Sequence, residues 1–70
     1  MQDVQKQVGI AVRKLRLKRG WSQDLFADRS GLNRAHVGEI ERRESNVTIQ
    51  TLKIITDTLG VKITELVKGL

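Results

Sequence analysis

The sequence contains no cysteine and no proline. Without cysteine there is no disulfide framework and no thiol chemistry. Without proline, no helix loses a backbone N–H to a ring. Aromatic residues are scarce, with only Trp21 and Phe26. No apolar run approaches the roughly 18 residues of a membrane span, and the N-terminus lacks a signal-peptide core. A cytoplasmic protein without a membrane partner is therefore expected. His36 is the only histidine, too little for a metal site or a catalytic pair. There is no promising Ser–His–Asp set and no glycine-rich phosphate loop. An enzyme is not expected at 70 residues, and no cofactor, metal or small-molecule ligand is implied.

Basic charge is plentiful. Thirteen Lys and Arg against eight Asp and Glu give a formal charge of +5. Lys6, Arg13, Lys14, Arg16, Lys18 and Arg19 crowd the first part of the chain. Such a domain suits a polyanionic partner, although Lys and Arg also cover ordinary solvated helix faces. Residues 1–70 are expected to form one small domain. A domain of this size buries only about 60% of its unfolded surface, so a partner subunit would help it.

The chain is organised around Gln23 to Arg42, QDLFADRSGLNRAHVGEIER. Ser22 is an N-cap type and opens a short helix with Leu25 and Phe26 inward. Gly31 breaks it, because the residue after a helix commonly turns left-handed, where a Cβ is costly. Asn33, another N-cap type, opens a second helix over about 33–42. Its inward residues are Val37 and Ile40; Arg34, Ala35, Gly38 and Glu39 are left outward. Small Ala27 allows a close helix crossing. Two short helices joined this way make a helix-turn-helix.

The flanks are helical as well. Asp3 is a possible first cap, and Val8, Val12 and Leu15 form one stripe that ends at Gly20. Ile10 lies off the stripe and is expected to be partly exposed. Leu17 is expected to fold on Trp21, and Trp21 to staple the entrance of the next helix. Thr48 caps a fourth helix, in which Ile49, Leu52, Ile55 and Leu59 follow the helical period and which Gly60 stops. A last helix of about 63–68 carries Ile63, Leu66 and Val67. The sum is an all-α fold of five helices.

These words resemble the lambda-repressor-like (Cro and XRE type) helix-turn-helix family. The likeness rests on VRKLRLKRGWSQ, the Ala27 to Gly31 spacing, GEIER and TLKIITDTLGVKITEL. LRLKRGWSQ followed by GLNR is similar, more narrowly, to controller proteins of restriction-modification systems. The resemblance implies that Gln23 touches phosphate and braces the reading helix. It places Arg43, Asn46 and Thr48 at the DNA backbone, and matches Arg16 and Glu41 to an ion pair between the first and third helices. The sequence departs from the family at three positions. Ser30 stands where an apolar residue is usual. Arg43 stands for a glycine, implying either a left-handed arginine or a longer helix. Val47 stands for a proline.

The outward residues of the second motif helix suit the major groove. Arg34 can bond guanine O6 and N7 together, or meet only phosphate. Asn33 can cap the helix and face the groove, and Ala35 can touch a thymine methyl. Glu39 either accepts from cytosine N4 or orients Arg34 or another basic side chain. Gly38 admits either DNA or a neighbouring helix. His36 is expected at solvent or phosphate. Asp24 and Asp28 share a face. They serve the helix dipole and basic neighbours, or, by resemblance to lambda-type activators, project away from phosphate and touch RNA polymerase. Ile54, Ile63, Val67 and Leu70 are spare apolar residues for a homodimer interface. The expected protein is a transcription regulator that binds a palindromic operator in double-stranded DNA, a repressor and in some settings an activator. The alternative is an antitoxin or protein-interaction module.

Overall fold

The computed structural model describes residues 4–44 and 47–67. The expected roles of Asp3, Asn46 and Leu70 fall outside them. Five helices are present: α1 Val4–Lys18, α2 Gln23–Ser30, α3 Arg34–Glu41, α4 Ile49–Leu59 and α5 Ile63–Leu66. No strand occurs among the described residues. No helix among them is long and apolar enough to cross a membrane.

Local chemistry sets the helix limits. The Ser22 side chain accepts from the Leu25 N–H, Asn33 from Ala35, and Thr48 from Thr51. Each satisfies one of the N–H groups that a helix start leaves unpaired. Gly31 closes α2 at φ 77°. Ser30 strengthens that turn: its hydroxyl donates to the Ala27 carbonyl at 3.2 Å and accepts from the Leu32 N–H at 3.1 Å. The end of α3 has the same reversal without glycine. Arg43 takes φ 65°, the one non-glycine residue with positive φ among those described. The Glu44 N–H then bonds back to the Glu39 carbonyl at 2.8 Å, which closes a Schellman turn.

Every helix contributes to one core. Val8 and Val12 come from α1, Phe26 and Ala27 from α2, and Val37 and Ile40 from α3. Leu52, Ile55 and Leu59 come from α4, and Leu66 from α5. Leu15, Trp21 and Val61 pack at its edge. Trp21 precedes the Ser22 cap and its ring centroid lies 6.4 Å from that of Phe26, which fixes the entrance of α2.

Several expectations fail. Ile49 is 84% exposed. Helical side chains lean toward the N-terminus, so a first-turn residue leans past the end of its own helix. Leu17 is exposed, and the Trp21 ring lies instead beneath the guanidinium groups of Arg19 and Arg29. Leu25 is only half-buried, because Phe26 takes the core position. The last helix ends at Leu66, short of the expected limit.

Two contacts fix α3 against the rest. Gly9 of α1 meets it so closely that a Cβ there would stand 2.5 Å from the Ile40 carbonyl oxygen. At the same crossing, Arg16 and Glu41 are both buried. Arg16 donates from Nε to Glu41 Oε2 at 2.7 Å and from Nη2 to Oε1 at 2.9 Å. Its Nη1 donates to the Trp21 carbonyl at 2.8 Å, and Gln23 Nε2 donates to Glu41 Oε1 at 2.9 Å. Burial pushes the Glu41 carboxyl up, but the bonds from Arg16 and Gln23 outweigh it and hold it below the ordinary glutamate range. The bond to Glu41 raises Arg16, against its own burial.

Gly9→Ala is therefore expected to destabilise the fold by about 1–3 kcal/mol through overpacking, despite alanine's better helix propensity. A urea titration measures this, and unchanged stability would refute the close crossing. Glu41 has a depressed folded-state pKa, so its contribution is complete above the unfolded value of about 4.3 and is lost as pH falls through the folded one. Melts between about pH 6 and 2 should fall more steeply for the wild type than for Glu41→Gln. Parallel curves would show that the carboxylate is not held in its charged form.

Candidate nucleic-acid interface

α2 and α3 stand as the motif requires, joined by the Gly31 turn and with Val37 and Ile40 buried beneath α3. The solvent side of α3 then presents Arg34, Ala35 and Glu39, all exposed, with His36 half-buried beside them. Asn33 Oδ1 is taken by the cap, at 2.7 Å from the Ala35 nitrogen, which leaves the side-chain NH2 as the part able to face a groove. The first-turn N–H groups and the helix dipole favour an anion at this end of α3.

Gly38 is not an open outward position, as its place in the sequence suggested, but a buried one. What covers it is not another helix. A Cβ at Gly38 would lie 3.2 Å from Arg34 Nη1 and 2.9 Å from Arg42 Nη1. The two arginines, one turn before and one turn after, reach over the bare backbone from either side. Arg42, absent from the site residues expected from the sequence, thus belongs to the same surface. Its spacing from Arg34 through Gly38, four residues at each step, is a helical stripe that could have revealed it.

Each of these arginines has a carboxylate partner. Arg34 Nε lies 3.0 Å from Asp24 Oδ1, and Arg42 Nε lies 3.1 Å from Glu44 Oε1. Asp24 therefore does not project away from the solvent face of α3; its side chain reaches from α2 to the first turn of α3. Both pairs are largely exposed, so each is weak in energy and matters for position. Asp28 is exposed on the same helix.

Of the residues assigned to the DNA backbone, Gln23, Arg43 and Thr48 each already have a structural task. Gln23 is half-buried and gives one amide hydrogen to Glu41, which leaves a second for a phosphate. Arg43 is exposed, with its stem packed on Gly9 and its backbone in the left-handed turn. Thr48 is exposed, but its hydroxyl is occupied in capping α4: it accepts from the Thr51 N–H and donates to the Thr51 hydroxyl. Of the residues assigned to a dimer contact, Ile63 is exposed, and Ile54 and Val67 are half-buried.

Known proteins resemble this chain in sequence and in fold. The sequence is 36% identical over 61 residues to the transcriptional regulator SutR of Escherichia coli, matching 87% of this chain and 34% of that protein. It is also 36% identical over 64 residues to the control protein C.SmaI of Serratia marcescens, matching 91% of this chain and 76% of that one. The chain thus spans about a third of the first relative and three quarters of the second. Among solved structures, the restriction-modification controller protein C.AhdI of Aeromonas hydrophila superposes with a TM-score of 0.84 at 33% identity, over 90% of this chain and 96% of that one. The controller C.Esp1396I, solved as a tetramer with its natural 35 base-pair operator, gives 0.81 at 30% identity, over 97% and 100%. The Helix-turn-helix family model matches residues 12–66, from the middle of α1 to the end of α5, and the chain belongs to the Helix-turn-helix family.

Proposed function

We propose that this chain is a sequence-specific transcription regulator of the restriction-modification controller type. It binds a palindromic operator as a homodimer, with α3 in the major groove. The observation that carries the reading is the first turn of α3. Arg34 is held there on an exposed surface, at a capped helix start, on a motif braced from beneath by Arg16, Glu41 and Gln23. The likeness to a controller solved with its operator supports it.

In this arrangement Arg34 reads guanine O6 and N7, flanked by Asn33, Ala35 and Glu39. Gln23, His36, Arg43, Asn46 and Thr48 follow the backbone. A single motif covers few base pairs, so two copies related by a two-fold axis, with half-sites about one helical turn apart, supply the affinity. Ile54, Ile63, Val67 and Leu70 are the residues proposed to join the copies. The site of action is the cytoplasm. Repression by occupancy is better supported than contact with RNA polymerase through Asp24 and Asp28, because Asp24 is engaged with Arg34.

Selection from randomised duplexes should return an inverted repeat with a conserved guanine in each half. Unrelated sequences would reject a specific regulator, and single half-sites would reject the dimer. Arg34→Ala should weaken binding to the selected duplex by about 1–3 kcal/mol and relax the preference at that guanine. A variant that keeps both affinity and preference would remove Arg34 from the base-reading role.

A further inference from the structure

We propose that Asp24 and Gly38 are positioning residues for sequence discrimination: together they fix the Arg34 guanidinium for the acceptor edge of a guanine and against the phosphate backbone. The proposal deepens the reading of Arg34 as a base reader and rests on it.

A free arginine on a basic helix is a poor discriminator. Its long stem swings, and its fork fits a phosphate as well as a guanine edge. Arg34 is not free in this way. Asp24 holds it from the α2 side through Nε, at 3.0 Å. That leaves the two terminal nitrogens as the part of the fork able to meet O6 and N7. The second constraint comes from α3. Arg34 Nη1 lies across Gly38, 3.2 Å from where a Cβ would stand, so a side chain there must push it aside. A glycine in a helix interior costs stability relative to alanine, and no packed helix requires one here. What occupies the space is the Arg34 fork and, from the opposite direction, the Arg42 fork.

The carboxylate also acts on the wrong ligand. Asp24 is 84% exposed in its side chain and stands beside the fork. A phosphate approaching Arg34 meets a like charge, whereas a neutral guanine edge does not. Discrimination is a difference between two affinities, and raising the cost of the competitor widens it. Because the pair is exposed, the effect is modest.

The test uses the full chain and the duplex recovered by selection with it, against a duplex of scrambled sequence. Fluorescence anisotropy gives the two dissociation constants and their ratio, and melts report folding. Asp24→Asn should lower the ratio about two- to five-fold, the range of an exposed ion pair, with an unchanged melting temperature. In an Arg34→Ala background the same substitution should leave the ratio where Arg34→Ala put it. Gly38→Ala should melt at the same or a higher temperature, because only side-chain ends must move, and yet lower the ratio at the same base position. If Arg34→Ala alone leaves the ratio unchanged, the base-reading role fails and this proposal falls with it. If Arg34→Ala lowers the ratio but Asp24→Asn does not, the proposal is overturned and the base-reading role stands. The proposal is overturned in the same way if Asp24→Asn lowers the ratio equally with Arg34 absent, since Asp24 then only repels DNA. An unchanged ratio in Gly38→Ala overturns the part assigned to Gly38.

Discussion

The Glu41 carboxylate is the junction on which the placement of α3 depends. It sits at the last residue of α3, is buried, and takes hydrogen bonds from α1 through Arg16 and from the first residue of α2 through Gln23. The same Arg16 donates to the Trp21 carbonyl in the loop between α1 and α2. One ion pair therefore ties three helices and a loop. Among the described residues no buried side-chain nitrogen or oxygen lacks a partner, so the polar cluster is satisfied. Burying an ion pair gains little net stability, because desolvation offsets attraction. Its value is geometric: the bonds are directional, where apolar contacts are not.

Packing adds a second constraint of the same kind. The absent side chain at Gly9 lets α1 meet the end of α3 at the Ile40 carbonyl, and the Arg43 stem closes over that contact. Holding a non-glycine residue left-handed at Arg43 costs roughly 1 kcal/mol. The Schellman turn and the packing of its stem are what the structure shows in return. The far end of α3 is set by the Asn33 cap and the Gly31 turn. A short helix fixed at both ends is a rigid platform, and the two arginines that meet over Gly38 lie on it.

The local features were legible in the sequence. Caps at Ser22, Asn33 and Thr48 and stops at Gly20, Gly31 and Gly60 are signals between residues a few positions apart, and the backbone follows them. The buried stripe of Val8 and Val12 and the inward pair Val37 and Ile40 follow from helical period alone. The resemblance supplied the Arg16–Glu41 pair, which periodicity could not, because the partners are 25 residues apart. What escaped was tertiary. Ile49 keeps the helical period, but the period does not tell which of its residues the other helices reach. Gly38 looked like an outward gap because its cover is the far ends of two arginine side chains, each a full turn away. The Asp24 contact with Arg34 crosses between helices, and its reach depends on their angle.

The Arg16–Glu41 pair serves the position of α3 more than the stability of the fold. Replacing both partners together, Arg16→Met with Glu41→Leu, tests this most directly, with melting temperature and the affinities for selected and scrambled duplexes measured on the same protein. Removing both charges leaves none buried and unpaired, and such replacements are often neutral or stabilising. The expected result is a melting temperature that is kept or raised, with affinity for the selected duplex reduced at least about tenfold, or 1.4 kcal/mol, and binding to scrambled sequence little changed. A double variant that melts as the wild type and still binds the selected duplex with wild-type affinity would contradict it.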